Sequence, residues 1–530
     1  MKKALKVLLP VAAVAVTASV AGYAGSASSA VRASGASPAA INAGGGTTAA
    51  RCAKYAGVES SGNKNSMDPA QQPSSQNSLN VNASYDRLTT ETDNWKVLPS
   101  LATSWKTNAK GTVWTFQLRR GVKFWDGHPF TSADVVYTFR RVIDPKTGSE
   151  GASQMSFLTK NGIRPAGKYA VKFITKGPVA ELPLLITNKN TFIVENGAST
   201  ATLRTKGAGT GPFKPVNFRP VQQVHMFVRN PHYWRAGLPK APCLQLYVIQ
   251  EANSMLAALQ TGQVDFSQQV DYSVVPALQK DKRVKLTATG ASTSMTMPMW
   301  TDTAPFDNVA VRQALKKVID RKQMVQTALL GYGVVGDDNP VPPTSPDAWR
   351  HAVPGPDVAG AVKLLASAGY NSSNPLKVDI YTADMIPGIV NMVQLYKQQA
   401  AKAGIQVNVI VGPPSEYWDN VWLKHPFEVS AWSARPAGLA LSIAYLQNAP
   451  YPESHWKVPA YDALIKKANT TVNPVARSNV YKQAGKMLTE QGGEIIPMFQ
   501  RVVAAQRSNC SGYHPSIQFV QFDLTHLQCK

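Results

Sequence analysis

The four cysteines, Cys52, Cys243, Cys510 and Cys529, are the residues of this chain with the clearest covalent chemistry. In a chain routed out of the cytoplasm, as the leader described below implies, an even count of cysteines forms disulfides, and four allow three pairings. The spacing favours Cys510 with Cys529 as a short loop near the C-terminus, which leaves Cys52 with Cys243. Metal ligation is the other chemistry open to thiols, but there is no CxxC spacing and the eight histidines are dispersed. Hydrolysis needs a nucleophile with a base, or a carboxylate couple. The sequence has no GxSxG, no HExxH and no compelling acid pair. No catalytic residue, metal or cofactor is therefore expected.

The elements that must hold any site alternate between strand and helix. Trp114, Phe116 and Leu118 alternate with Thr115, Gln117 and Arg119, the period of a half-buried strand, and Lys110-Gly111 marks the turn before it. Asp126-Gly127 reads as a hairpin or tight turn. Thr131 then caps a helix, with Asp134 as its capping-box partner and Val135, Phe139 and Val142 as its apolar stripe. Further on, the pattern gives a strand through His225, Phe227 and Arg229, a strand at 244–249 and a helix at 308–319. A helix at 358–367 with a strand at 376–381 follows, then a helix at 388–403 ended by Gly404 and a strand at 406–411. Strand, helix and strand in succession predict α/β units with mixed sheets. At 530 residues the chain exceeds one core, and its 44% hydrophobic content can fill about two to four.

Met1-Lys2-Lys3, an apolar run at 7–20 broken by Pro10, and the small residues Ala24, Ala27 and Ala30 read as a secretory signal peptide at 1–27. An uncleaved anchor is the competing reading, against which the run is short for a span of about 20 residues. Residues 28–50 are almost all Ala, Ser, Gly and Thr and read as a flexible linker. The first cysteine, Cys52, has no lipobox ahead of it, so no lipid anchor is expected. Of the formal net charge of +23, Lys2, Lys3 and Lys6 leave with the leader. The remaining basic residues fall in short pairs such as Arg140-Arg141 and Lys466-Lys467, the pattern of a solvated surface. Peripheral attraction to anionic lipid or wall polymers fits this charge, and nucleic acid does not fit an exported chain.

Residues 98–149, LPSLATSWKTNAKGTVWTFQLRRGVKFWDGHPFTSADVVYTFRRVIDPKTGS, resemble the signature segment of the extracellular solute-binding proteins that feed peptide, nickel and related ABC importers. The resemblance continues in order through GTGPFKPVNFRPVQQVHMFVRNPHYW at 209–234, ANSMLAALQTGQVDF at 252–266, PFDNVAVRQALKKVIDRKQMV at 305–325 and DVAGAVKLLASAGY at 357–370. It covers about residues 58–525. Several motifs in the right order make chance similarity a poor explanation.

This resemblance implies an α/β, two-lobed periplasmic-binding-protein-like (type II) fold with an interlobe cleft and an extra subdomain. Lobe I would comprise 51–87, 195–300 and a tail at 501–530. The extra subdomain would occupy 88–194 and lobe II 301–500, with a hinge where the chain crosses. The implied function is the extracytoplasmic component of an ABC importer, which captures a small molecule or peptide, closes around it and delivers it to permease and ATPase subunits, working as a monomer. A secreted hydrolase and a wall-associated receptor that does not transport are the alternatives.

The family's cleft segment corresponds here to EVSAWSARPAGLALSIAYLQ at 428–447. Peptide-binding relatives commonly place an aspartate there that pairs with the ligand's ammonium group, and this chain has Arg435. Arginine is always cationic and only donates, so it suits a carboxylate or phosphate instead. The alternative is that Arg435 points outward or pairs with an acid such as Glu453. Trp432 is the candidate stacking wall, with core packing as its other reading. Ser433, Ala434, Ser415, Trp456, Gly151 and Ser153 complete the implied ligand-binding set. Met295, Met297 and Met299 replace a strand end that is often asparagine, either to adapt to varied ligands or to fill space.

Overall fold

The structure, a computed structural model, describes residues 51–57, 66–72, 78–220, 222–517 and 522–530. The leader at 1–27 and the linker at 28–50 lie outside the described residues. Locally, the sequence pattern translates directly. Strand Val113–Leu118 turns Trp114, Phe116 and Leu118 inward, after a turn in which Gly111 takes a left-handed φ of 64°. Strands Ala102–Thr107, Val113–Leu118, Ala170–Ile174 and Ile163–Pro165 form one antiparallel sheet in that order. Helix Ser132–Val142 lies on it, its Phe139 ring 4.9 Å from Phe173. The capping box is present: the Thr131 backbone N–H donates to Asp134 Oδ2 at 2.7 Å, and Thr131 Oγ1 accepts from the Ala133 N–H. The Asp126-Gly127 turn closes with a single bridge between Lys123 and Pro129, because proline has no N–H to extend a ladder.

A nine-stranded sheet runs through the molecule. From one edge its order is Ser430–Trp432, Val284–Pro298, Glu494–Arg507, Phe266–Ser267, Ala53–Gly57, Cys243–Val248, Val224–Arg229 and Phe213–Val216, with Gly333–Val335 also paired to Glu494–Arg507. The two long strands are antiparallel partners and each spans two cores. At one end Val284, Val503 and Ala505 pack with Ala56, Met255 and Leu259 in lobe I. At the other, Met295, Ile495 and Met498 pack with Val311, Ile380 and Tyr396 in lobe II. Their register shifts repeatedly between Ala288 and Met297, where the pair passes from one core to the other. Met295, Met297 and Met299 have no exposed surface and fill the lobe II core.

In lobe II, the parallel strands Lys377–Thr382 and Gln406–Val411 are surrounded by helices Val309–Lys317, Val358–Ser367 and Ile389–Ala401. The last helix starts one residue later than the sequence pattern suggests because Gly388 takes a φ of 86°, outside helical geometry. Beyond it, Gly404 at φ 78° makes the left-handed exit. A separate helical core joins helices Pro459–Thr470 and Pro474–Gln491 with the short helix Ala437–Ala440. Both ends of the described chain are stapled into lobe I. Cys52 is bonded to Cys243, beside the parallel pairing of Ala53 with Leu244, and Cys510 is bonded to Cys529. Among the described residues no helix is long and apolar enough to cross a membrane.

Candidate functional site

Strand Ser430–Trp432 is an edge of the central sheet, held to the first crossing strand by the pairs Ser294 with Trp432 and Thr296 with Ser430. The chain then leaves the sheet through Ser433, Ala434 and Arg435, all half-buried. Pro436 disfavours helix at the residue before it, so the following helix begins only at Ala437. The segment is thereby held extended between a strand and a helix.

Glu453 organises the wall behind it. This carboxylate has no exposed surface; its Oε1 accepts from Trp422 Nε1 at 2.7 Å and its Oε2 from Trp432 Nε1 at 2.8 Å. Burial pushes the Glu453 carboxyl above the usual glutamate range, against the opposing pull of hydrogen bonds from the two indoles and of the Arg435 charge. Tyr451 completes an aromatic group, its ring centroid 5.3 Å from Trp422 and 5.7 Å from Trp432. Trp418 edges onto Trp422 at 5.4 Å and is 44% exposed.

Arg435 lies with Cζ 4.7 Å above the Trp432 ring. Its only hydrogen bond among the described residues runs from Nη1 to the Ser433 carbonyl at 3.2 Å. Burial lowers its pKa to about 10, against the nearby Glu453 charge, so the guanidinium stays cationic at neutral pH. Of the two alternatives the sequence leaves open, no ion pair with Glu453 forms; its carboxylate oxygens accept from the two indoles. Four of the five guanidinium N–H groups remain available to an acceptor.

Across from this segment, Ala434 packs against Trp95, Leu184, Ile517 and Val97. These residues come from the neighbourhood of the subdomain and from the C-terminal tail. Asp93 Oδ1 accepts from Ser516 Oγ at 2.7 Å and from the Ile517 N–H at 3.2 Å, and Ser292 Oγ on the crossing strand donates to the Ile517 carbonyl at 2.7 Å. A cavity of ≈ 500 Å³ indents this opposite side, lined among others by Glu91, Asp93, Trp234, Arg235, His514 and Ser516. A second cavity, ≈ 260 Å³, lies where both lobes meet the crossing strands, between Gln250, Gln269, Thr293, Ile386 and Arg501. The Nε of Arg501 is buried there without a hydrogen-bond partner.

The structure does not gather all the residues selected from the sequence. Trp432, Ser433, Ala434 and Arg435 are contiguous and face the opposite wall through Ala434. Trp456 is 5% exposed and its ring packs 4.8 Å from Tyr461, among the helices after Glu453. Gly151 and Ser153 sit on the short helix Gly151–Gln154 of the subdomain. Gly151 is pressed against Asn190, where a Cβ would come within 2.8 Å, and Ser153 is exposed and donates to the Glu150 carbonyl. No hydrogen bond, ion pair or ring contact among the described residues joins either one to the Trp432–Arg435 segment. Ser415 lies in the turn Pro414–Glu416, and its side chain falls outside the described residues. Trp422, Tyr451 and Arg501 escape a reading of the sequence, since none of them stands in a recognisable motif.

A two-lobed α/β chain with an aromatic wall, a facing segment and paired crossing strands has the layout of a receptor that encloses a solute. Residues 96–449 match the bacterial extracellular solute-binding proteins, family 5 (middle region). The chain belongs to that family and is the extracytoplasmic, solute-binding component of an ABC importer. Among its relatives, the glutathione-binding protein GsiB of Escherichia coli K12 is 26% identical over 429 residues, covering 78% of this chain and 82% of the relative. Of solved structures, a dipeptide-binding protein from Pseudoalteromonas sp. SM9913 in complex with Met-Leu superposes with a TM-score of 0.73 at 21% identity, covering 91% of this chain and all of that one. NikZ from Campylobacter jejuni, in complex with Ni(L-His), gives 0.74 at 20% identity over 90% of this chain and 99% of its own. These likenesses carry the type II fold of two lobes with an extra subdomain.

Proposed function

We propose that this receptor takes an anionic peptide or peptide-like solute, gripped by Arg435 and stacked against Trp432, and hands it to the permease chemically unchanged. The observation that carries the reading is the Arg435 guanidinium, cationic, half-buried on an indole face, and with a single acceptor, the Ser433 carbonyl, among the described residues. A carboxylate matches its planar fork in a site with little water. The glutathione-binding relative supports a peptide with several carboxylates as a first probe. The lobes divide as the sequence suggests, with 51–87, 195–300 and 501–530 in lobe I, 88–194 as the extra subdomain and 301–500 as lobe II. The chain works as a monomer, kept close to the cell surface by its basic charge.

Calorimetric titration with reduced glutathione and with its diester, preceded by native mass spectrometry to identify any co-purified solute, tests the reading. Binding of the acid and not of the ester is expected. Arg435→Ala should weaken that binding by about 2–5 kcal/mol, the range for truncating one member of a buried charge pair, and Arg435→Lys should recover part of it. Unchanged affinity in the alanine variant, or a co-purified solute with no anionic group, would refute the anionic reading.

A further inference from the structure

The subdomain touches the helical core of lobe II at a seam away from the Trp432–Arg435 segment. Glu181, at the start of the short helix Leu182–Leu185, reaches across the molecule to helix Pro474–Gln491. Its Oε1 lies 3.2 Å from Arg477 Nε and its Oε2 accepts from Tyr481 Oη at 2.6 Å. Both members of the ion pair are 14% exposed in their side chains. Arg477 is already oriented, because its Nη1 donates to the carbonyls of Thr471 and Val472 at 3.0 Å each. Beside the pair, the Ala180 N–H donates to the Asn469 carbonyl at 3.0 Å. At the hairpin turn of the subdomain, a Cβ added to Gly111 would meet Val472 at 3.2 Å.

Gly438 ties this seam to the solute segment. It stands three residues after Arg435, and a Cβ there would come within 2.5 Å of Tyr481 Oη and 3.0 Å of Glu181 Oε2. Any larger residue would push the helix Ala437–Ala440 off the Glu181–Tyr481 bond. The segment carrying Arg435 therefore continues without a break into the packing of the seam. On the subdomain side, Leu184, which meets Ala434, belongs to the same short helix that Glu181 precedes.

We propose that Glu181, Arg477 and Tyr481 form a latch that holds the subdomain against lobe II in the absence of solute, so that part of the receptor's affinity is set outside its pocket. The latch rests on the reading of the chain as a receptor that closes, and not on the anionic character of its solute. A ligand shifts an equilibrium only by its differential affinity for the two states. Contacts within the protein made in the closed state bias the solute-free equilibrium instead, and through it the apparent affinity, whatever the ligand is. A hydrogen bond to a charged group in this setting is strong enough that losing one shifts the closed-to-open ratio by about tenfold. Glu181, Arg477 and Tyr481 are positioning residues: they act through the angle between the lobes and touch no solute.

Small-angle scattering and amide hydrogen exchange on the full secreted chain, stripped of solute by unfolding and refolding with its disulfides intact, test the latch. The wild-type radius of gyration should match the closed arrangement, with a slowly exchanging Ala180 amide. Glu181→Gln, Arg477→Ala and Tyr481→Phe should each expand the particle and speed exchange at Ala180 by about tenfold, while amides of the lobe II core such as Ile380 stay protected. The double variant Glu181→Arg with Arg477→Glu should recover part of the compaction, which a fold disrupted by mutation would not. Tyr481→Phe removes one hydroxyl and serves as the variant least able to harm folding. A wild-type particle that is already open, or variants that scatter and exchange like wild type, would overturn the latch. The latch is read in solute-free protein and the anionic reading in solute titration, so failure of one and failure of the other remain distinguishable.

Discussion

Replacing Glu453 by glutamine probes the wall that holds the solute segment, because it keeps size and shape while altering only what the two oxygens can accept. Glu453 is fully buried and receives one indole N–H on each oxygen. A glutamine offers one carbonyl oxygen and one NH2 group, so whichever way it is turned, one tryptophan N–H faces another donor. Two losses follow. One hydrogen bond to a charged acceptor becomes neutral, and one buried indole donor is left without a partner at a cost of about 1–3 kcal/mol. Together the change should destabilise the chain by about 2–4 kcal/mol. The geometry also predicts a coupling. In a Trp432→Phe background the clashing donor is gone, the glutamine turns its oxygen to Trp422, and the same substitution should cost about 2 kcal/mol less. Urea unfolding of the four members of this cycle at neutral pH, followed by near-ultraviolet circular dichroism, measures both quantities. A single-variant cost below about 1 kcal/mol, or equal costs in the two backgrounds, would show that Glu453 does not hold the wall through its two indole bonds.

Two further outcomes concern stability. Cys510→Ser combined with Cys529→Ser should lower unfolding free energy by about 2–4 kcal/mol, read by denaturant titration, since the bridge closes a short loop in the terminal tail. Burial raises the Glu428 carboxyl to about 8, against a hydrogen bond from the Leu423 N–H. The folded chain therefore keeps a proton that the unfolded chain, with the ordinary glutamate value of 4.5, has lost, and this contribution to stability must fall as pH rises through the window between those values. Thermal unfolding of Glu428→Gln should accordingly show a shallower decline from about pH 5 to pH 8 than wild type. A parallel decline would mean that Glu428 is not the group responsible.

What could be read from the sequence was what its neighbours determine. The helix at 358–367 and the strand at 406–411 fall on the residues their periodicity marks, because a cap, a stripe and a terminating glycine all lie within a few positions of one another. The Thr131 capping box is legible for the same reason. The wall was less legible. Glu453 is 31 residues from Trp422 and 21 from Trp432, and nothing in the spacing of an acid and two tryptophans says that one carboxylate will hold both. Trp456 and Trp432 look alike in sequence, and only the direction of the turn after Glu453 puts one of them in the core. The Glu181–Tyr481 bond joins residues 300 positions apart and depends on how two separate cores meet, which no local pattern encodes.

The pairing of the two long strands also constrains the order in which the protein can be completed. Residue Phe266 finds its neighbour at Gln506, and Val284 at Arg507, so the sheet of lobe I stays open until nearly the whole polypeptide has been made. The core of lobe II waits for the same strand, since Ile495 and Met498 complete it. Because long-range pairings form slowly, closure of the largest sheet is expected to be a late step in folding, paired as it is by a strand near the C-terminal end of the described chain.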